Sequence, residues 1–144
     1  MVDRDHVVET FAGYLRDHNL PVTQQRMDIA KVLLASDRHL SVEEVAGELN
    51  QRGQKAGLAT VYRTIELLVK CGLVVERDFD EGFKRFEPAR DIPQHEHLLC
   101  TVCGRVTEFQ DERLERITTL VAEKHGYLRQ RHRLVIHGVC ASCR

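Results

Sequence analysis

TVYRTIELLVKCGLVVERDFDEGFKRFEP, residues 60–88, changes its hydrophobic period partway along. As far as Cys71, the apolar positions Val61, Ile65 and Leu68 recur at the spacing of one helix stripe. Gly72 is a natural residue to stop that helix, because the position after a helix end commonly needs a left-handed backbone. GLVVERDF and FKRFEP, joined by a DEG turn, then read as the two strands of a hairpin.

Toward the N-terminus the period is helical throughout. Val7, Val8, Phe11, Tyr14 and Leu15 mark a helix over 6–18, and Pro21 ends it. Thr23 is placed to cap a second helix, TQQRMDIAKVLLAS. Ser41 and Glu44 form a capping box that opens a third helix running to about Arg52. Helices followed by a helix-turn-helix and a two-stranded ribbon make a winged helix-turn-helix, whose last helix enters the major groove of DNA.

Toward the C-terminus, ARDIPQ (89–94) breaks both periods and reads as a hinge. Beyond it HEHLLC and RVTEF read as short strands, DERLERITTLVAEKH as a helix capped by Asp111 and stopped by Gly126, and HRLVIHG as a last strand before CASC. The expected division is a winged-helix DNA-binding domain over 1–88, a hinge over 89–94 and a smaller second domain over 95–144. The fold class is α+β. The second lobe, at about fifty residues, is too small to be held by hydrophobic burial alone, so it needs a staple, a partner chain or both.

Composition narrows the class. With 42% hydrophobic and 30% charged residues among 144, the chain reads as an ordinary globular protein. MVDRDHVVET has no apolar core of a signal peptide, and no apolar run reaches the length of a membrane span, so a cytoplasmic location is expected. The net charge of −1 does not announce a nucleic-acid partner. Locally, however, Leu49 to Ile65 contains Arg52, Lys55 and Arg63 and no acid, and a DNA face would be built from such a patch.

Five cysteines in such a chain are not expected to form a disulfide framework. Four of them fall into two CxxC pairs, Cys100/Cys103 and Cys140/Cys143, and each pair sits at a strand end. Four thiolates facing one point give the closed tetrahedral set that structural zinc prefers. The 36 residues between the pairs exceed the usual zinc-ribbon gap, yet leave room for a helix and a strand. A redox dithiol is the alternative reading. Cys71, alone among apolar residues, reads as a buried small hydrophobe.

HEHLLCTVC (95–103) crowds histidines against two of those cysteines. On a strand, His95 and His97 project to the same side, while Cys100 is an odd step from both and points elsewhere. Two sites therefore fit better than one: a four-cysteine site for structure, and a nitrogen/oxygen site that includes His95 and His97. Two exposed strand histidines would be the plainer reading of HxH by itself.

TQQR (23–26), RH (38–39), ATVYRT (59–64), RFE (85–87), HEHLLCTVCG (95–104), TEF (107–109) and HRLVIHGVCASC (132–143) occur in one order and spacing. Together, from about residue 10 onward, they resemble the ferric uptake regulator family of metal-dependent transcriptional repressors. The resemblance implies a winged-helix lobe joined to a small α/β dimerisation lobe, acting as a homodimer on a double-stranded DNA operator.

By position, the resemblance places a regulatory metal on His39, Glu87, His95, His97 and Glu108. Their mixed N/O donors suit Fe(II), Mn(II), Co(II) or Zn(II), with Fe(II) the default for the family. A further site falls on Glu96, Glu115 and His132, with Gln94 where a histidine is common. His6, His18, His125 and His137 match no family ligand. The resemblance puts Thr60, Tyr62 and Arg63 on the recognition helix and makes Arg26 a phosphate contact. Pro21 stands where a basic residue often reaches the minor groove.

Within the family a peroxide, zinc or manganese sensor is the alternative to an iron sensor. Glu87 and Glu108, where peroxide sensors usually carry aspartate, argue mildly against peroxide. Cys71 lies at the wrong place for the cysteine that zinc sensors often add. A zinc enzyme is the reading from another class, but no nucleophile elbow, phosphate loop or HExxH is present, and no small-molecule substrate or membrane partner is expected. A pure interaction module would leave ATVYRT and the His39/Glu87 pair without a role.

Overall fold

A computed structural model describes residues 4–89 and 95–144. The hinge expected at 89–94 and Gln94 fall outside the described residues, apart from Ala89. The chain divides into two units, Met1–Arg90 and Asp91–Arg144.

In the first unit, helices α1 (Arg4–Asp17), α2 (Gln24–Leu34), α3 (Val42–Gln51) and α4 (Leu58–Lys70) precede an antiparallel ribbon, β1 (Val74–Asp78) and β2 (Lys84–Pro88). The caps are those expected from the residues. Thr23 Oγ1 accepts from Arg26 N–H, and Ser41 and Glu44 exchange side-chain and backbone hydrogen bonds at 3.0 and 3.1 Å. Helix α4 starts before Thr60, with Gly57 at its N-cap. At its other end Gly72 takes φ 81°, its N–H reaches Val69 O, and Leu73 N–H reaches Leu68 O. That Schellman pair satisfies two carbonyls a helix end would leave open.

Phe11, Leu15, Ile29, Leu33, Leu40, Val45, Leu49, Val61, Ile65, Leu68, Val74 and Phe86 form one buried core. Leu40 and Phe86 add a backbone bridge, with N–O distances of 2.9 and 2.7 Å, tying the chain before α3 to strand β2. Cys71 is only partly buried at the edge of this core. Its Sγ donates to Leu68 O at 3.3 Å, and burial raises the thiol above its usual range.

The second unit is a three-stranded sheet of order β4–β3–β5 with one helix. Strands β3 (Glu96–Cys100) and β4 (Val106–Phe109) are antiparallel, α5 (Glu112–Lys124) follows, and β5 (Val135–Gly138) returns parallel to β3. Strand β5 is shorter than HRLVIHG suggested, because residues 132–134 approach the sheet without forming strand. Helix α5 has no buried residue: Ile117, Leu120 and Val121 are each more than half exposed. Among the described residues of this unit, Leu99 and Cys100 are the buried hydrophobic side chains.

Candidate metal centres and nucleic-acid face

The two CxxC turns meet. Cys100 ends β3, Gly104 takes φ 75° to turn the chain, and Cys140 and Cys143 follow β5, the strand paired with β3. Thr101 N–H donates to Gly138 O at 2.8 Å and ties the turns together. The four sulfurs lie within 4.8 Å of one another, and Cys103 Sγ is 3.8 Å from Cys140 Sγ. Zinc–sulfur bonds of about 2.3 Å in a tetrahedron give edges of about 3.8 Å, so these residues fit a structural zinc ion. None of the four is in a disulfide.

The electrostatics agree with that fit. The backbone N–H of Cys103, and then that of Cys140, donate to Cys100 Sγ at 3.5 and 3.4 Å and lower its thiol to about 6. Cys143 is pushed up to about 12, first by its hydrogen bond with Cys140 and then by Cys103. Without a cation the cluster favours the Cys100 thiolate at the expense of Cys143; a divalent cation held among the sulfurs favours the thiolate at both. The four-cysteine group contains no histidine, and His97 falls in a different group of possible ligands.

His39 and Glu87 are brought together in the first unit. Each adjoins a member of the Leu40–Phe86 bridge, and His39 Nε2 lies 2.7 Å from Glu87 Oε2. Arg77 Nε donates to Glu87 Oε1 at 2.9 Å. Burial alone raises the Glu87 carboxyl, but the hydrogen bonds from His39 and Arg77 outweigh it and hold the group at about 2. It is therefore a carboxylate, ready as a hard oxygen donor. Phe79 meets the His39 ring edge-on at 5.6 Å, and Arg85 Nη1 donates to His39 O at 3.0 Å.

The second unit carries the other three residues of the expected nitrogen/oxygen set. His97 faces Glu108 in the β3–β4 register, His95 Nε2 is 3.3 Å from Glu108 Oε1, and the two imidazoles lie 4.8 Å apart. Their common side of the strand, expected from the even spacing, is what places them together.

Glu96 lies between His95 and His97 in sequence; it is buried and is hydrogen-bonded to the part-buried His132. Glu96, Glu115 and His132 offer ligand atoms within 4.8 Å of one another. Arg129 joins them: it is ion-paired with Glu115, and its Nη1 is 3.0 Å from His132 Nδ1.

On α4, Tyr62 is 51% exposed, Arg63 is exposed, and Thr60 is half-buried with its carbonyl accepting from Thr64 Oγ1. Tyr62 is thus outside the core defined by Val61, Ile65 and Leu68. Arg26, half-buried, donates Nη1 to Pro21 O at 2.7 Å. His6, His125 and His137 are exposed, and His18 Nδ1 lies 2.9 Å from Tyr14 O with its ring against Tyr14.

Sequence reasoning missed Arg77 and Arg129. Arg77 had a signal, since Val75 pairs with Glu87 and residue 77 shares the face of residue 75. Arg129 had none, because the segment after Gly126 carries no period.

Residues 17–137 match the model of the ferric uptake regulator family. The ferric uptake regulation protein of Campylobacter jejuni is 35% identical over 144 residues, covering 99% of this chain and 91% of that protein. The Helicobacter pylori ferric uptake regulator, whose structure was described as revealing three functional metal binding sites, superposes with a TM-score of 0.81. It is 25% identical, and the match covers 99% of this chain and 94% of that one. A zinc-bound manganese uptake regulator superposes with a TM-score of 0.75 at 31% identity, covering 91% and 98%.

Proposed function

The chain belongs to the ferric uptake regulator family of metal-dependent, non-enzymatic transcriptional regulators, and we propose that it is an Fe(II)-sensing homodimeric repressor of metal-uptake genes. The relatives named for ferric uptake support iron; the likeness to a manganese uptake regulator keeps Mn(II) as the second reading. Donor chemistry does not separate them, because imidazole and carboxylate accept Fe(II), Mn(II) and Zn(II) alike.

The observation that carries the reading is the division of the expected ligands between two units. His39 and Glu87 belong to the unit with the DNA helix, and His95, His97 and Glu108 to the other. A bound cation supplies one charge to which both groups of donors are attracted. His39 and Glu87 then restrain the first unit, and the three second-unit donors restrain the other, so one relative orientation is favoured over the rest. Tyr62 and Arg63 meet DNA from the exposed side of α4, with Thr60 near its start and Arg26 of α2 adding contacts.

Dimerisation has support of its own. Helix α5 presents Ile117, Leu120 and Val121 to solvent, and a second copy is the natural cover for such a helix. No described helix is long and apolar enough to cross a membrane, and a regulator of DNA is placed in the cytoplasm.

The test is operator binding by the zinc-loaded protein, titrated anaerobically with Fe(II), Mn(II) and Zn(II) in turn. We expect Fe(II) to confer binding within the range of free metal a cell maintains. Binding that no metal alters would overturn the regulatory reading, and binding conferred by Mn(II) alone would replace iron with manganese.

A further inference from the structure

We propose that the Arg129 guanidinium, rather than a metal ion, is the cation that closes the Glu96–Glu115–His132 cluster of the second unit. This goes beyond the regulatory reading and does not depend on it. The three donors are close enough to share an ion, and such a site is what their residue types first suggest. Arg129 stands against two of them.

The protons settle the matter. A guanidinium only donates hydrogen bonds and does not lose its charge. Arg129 Nη1 is 3.0 Å from His132 Nδ1, so Nδ1 must present its lone pair. The single proton of the neutral ring is then on Nε2, where it donates to Glu96 Oε1. Glu96 Oε2 accepts from Leu134 N–H at 3.0 Å. Glu115 Oε2 accepts from Arg129 Nη2, and Arg129 Nε donates to Thr119 Oγ1 at 3.1 Å.

A metal needs an imidazole lone pair. One nitrogen of His132 spends its lone pair on the guanidinium, and the other carries the proton. An ion could enter only by displacing Arg129 and moving that proton, and a divalent ion beside a retained guanidinium would be repelled. Glu96 is buried and the His132 and Arg129 side chains are 13% and 21% exposed, so water offers little screening. The closed cluster joins α5 through Glu115 and Thr119, strand β3 through Glu96, and the approach to β5 through Arg129, His132 and Leu134. It is a metal-free staple for a unit with few buried apolar side chains.

The experiment titrates zinc-loaded protein anaerobically with Co(II), whose visible spectrum distinguishes nitrogen/oxygen sites from thiolate sites. Wild type is expected to bind the same number of Co(II) equivalents as Glu115→Ala and His132→Ala. Arg129→Ala should bind one more, and Arg129→Ala/His132→Ala should lose it again. Arg129→Gln, which can still donate to Glu115, is the second variant should Arg129→Ala not fold. Loss of an equivalent in Glu115→Ala with Arg129 in place would overturn the proposal. So would a folded Arg129 variant with no additional Co(II). Failure of the regulatory reading leaves a different trace: His97→Ala then binds as much Co(II) as wild type, while the gain in the Arg129 variants persists.

Discussion

His39 and Glu87 face each other across 2.7 Å because their chain neighbours, Leu40 and Phe86, are joined by a pair of backbone hydrogen bonds. The contact is therefore built into the junction between the helices and the wing of the first unit. It is not a chance meeting of two long side chains. The role proposed for His39, to carry the regulatory signal into the first unit, can be separated from stability.

His39→Ala should leave the four-thiolate zinc and the fold intact while removing metal-dependent DNA binding. His97→Ala should have the same effect on regulation by losing the ion itself. A tenfold shift needs only about 1.4 kcal/mol, so a single ligand is enough to expose the effect. Gel-shift titrations against free Fe(II), paired with zinc analysis, check this. A His39→Ala protein that still binds its operator in a fully metal-dependent manner would remove His39 from the switch.

Cys100→Ser should release one equivalent of tightly held zinc and unfold the second unit, since structural zinc binding is folding free energy. Cys100 is the sulfur that receives the N–H groups of both Cys103 and Cys140, so its replacement by serine removes the thiolate that those groups stabilise. Zinc content and circular dichroism are the measurements. A folded, dimeric, zinc-free variant would show that the staple is dispensable.

Arg63→Ala should weaken operator binding by about 1–3 kcal/mol with no change in metal content. If Arg63 meets a phosphate, the loss will be similar on all sequences and the salt slope will fall by about 1; if it reads guanine, specificity will relax instead. Equal affinity of variant and wild type in a fluorescence-anisotropy titration would place Arg63 outside the interface.

Arg85→Ala should destabilise the first unit by about 3 kcal/mol, read from urea unfolding followed by helical signal. Arg85 is 6% exposed and donates to Glu81, Glu44 and His39 O; its removal leaves the Glu81 carboxylate, 14% exposed, and His39 O without this donor, while Glu44 is open to water and keeps Ser41 N–H. The hydrogen bonds Arg85 donates to Glu81, more than the opposing effect of burial, raise the guanidinium pKa, so Arg85 stays charged throughout the accessible pH range. A change below about 0.5 kcal/mol would mean that Glu44 and Glu81 are fully served by water.

Much of this was legible in the residues because local rules and burial agree. The stripe of Val61, Ile65 and Leu68 became the buried face of α4, and Ser41 with Glu44 formed the capping box. The spacing of the four cysteines brought them to one point. The miss at β5 has a physical cause. Residues 132–134 look like strand, but His132 and Leu134 N–H are committed to Glu96, and only from Val135 does the pairing with β3 take over. Side-chain networks of this kind leave no periodic trace. Arg129 and the Glu87 carboxylate had to be seen in three dimensions, because their partners are set by register and turn rather than by spacing along the chain.

Helix α5, with no side chain buried in its own unit, makes folding a question of mass action. Covered by a second copy, as proposed, the second unit should show an apparent unfolding midpoint that rises with protein concentration. A cell that makes little of this regulator then holds part of it as unassembled chain. Abundance then becomes an input to regulation alongside the metal.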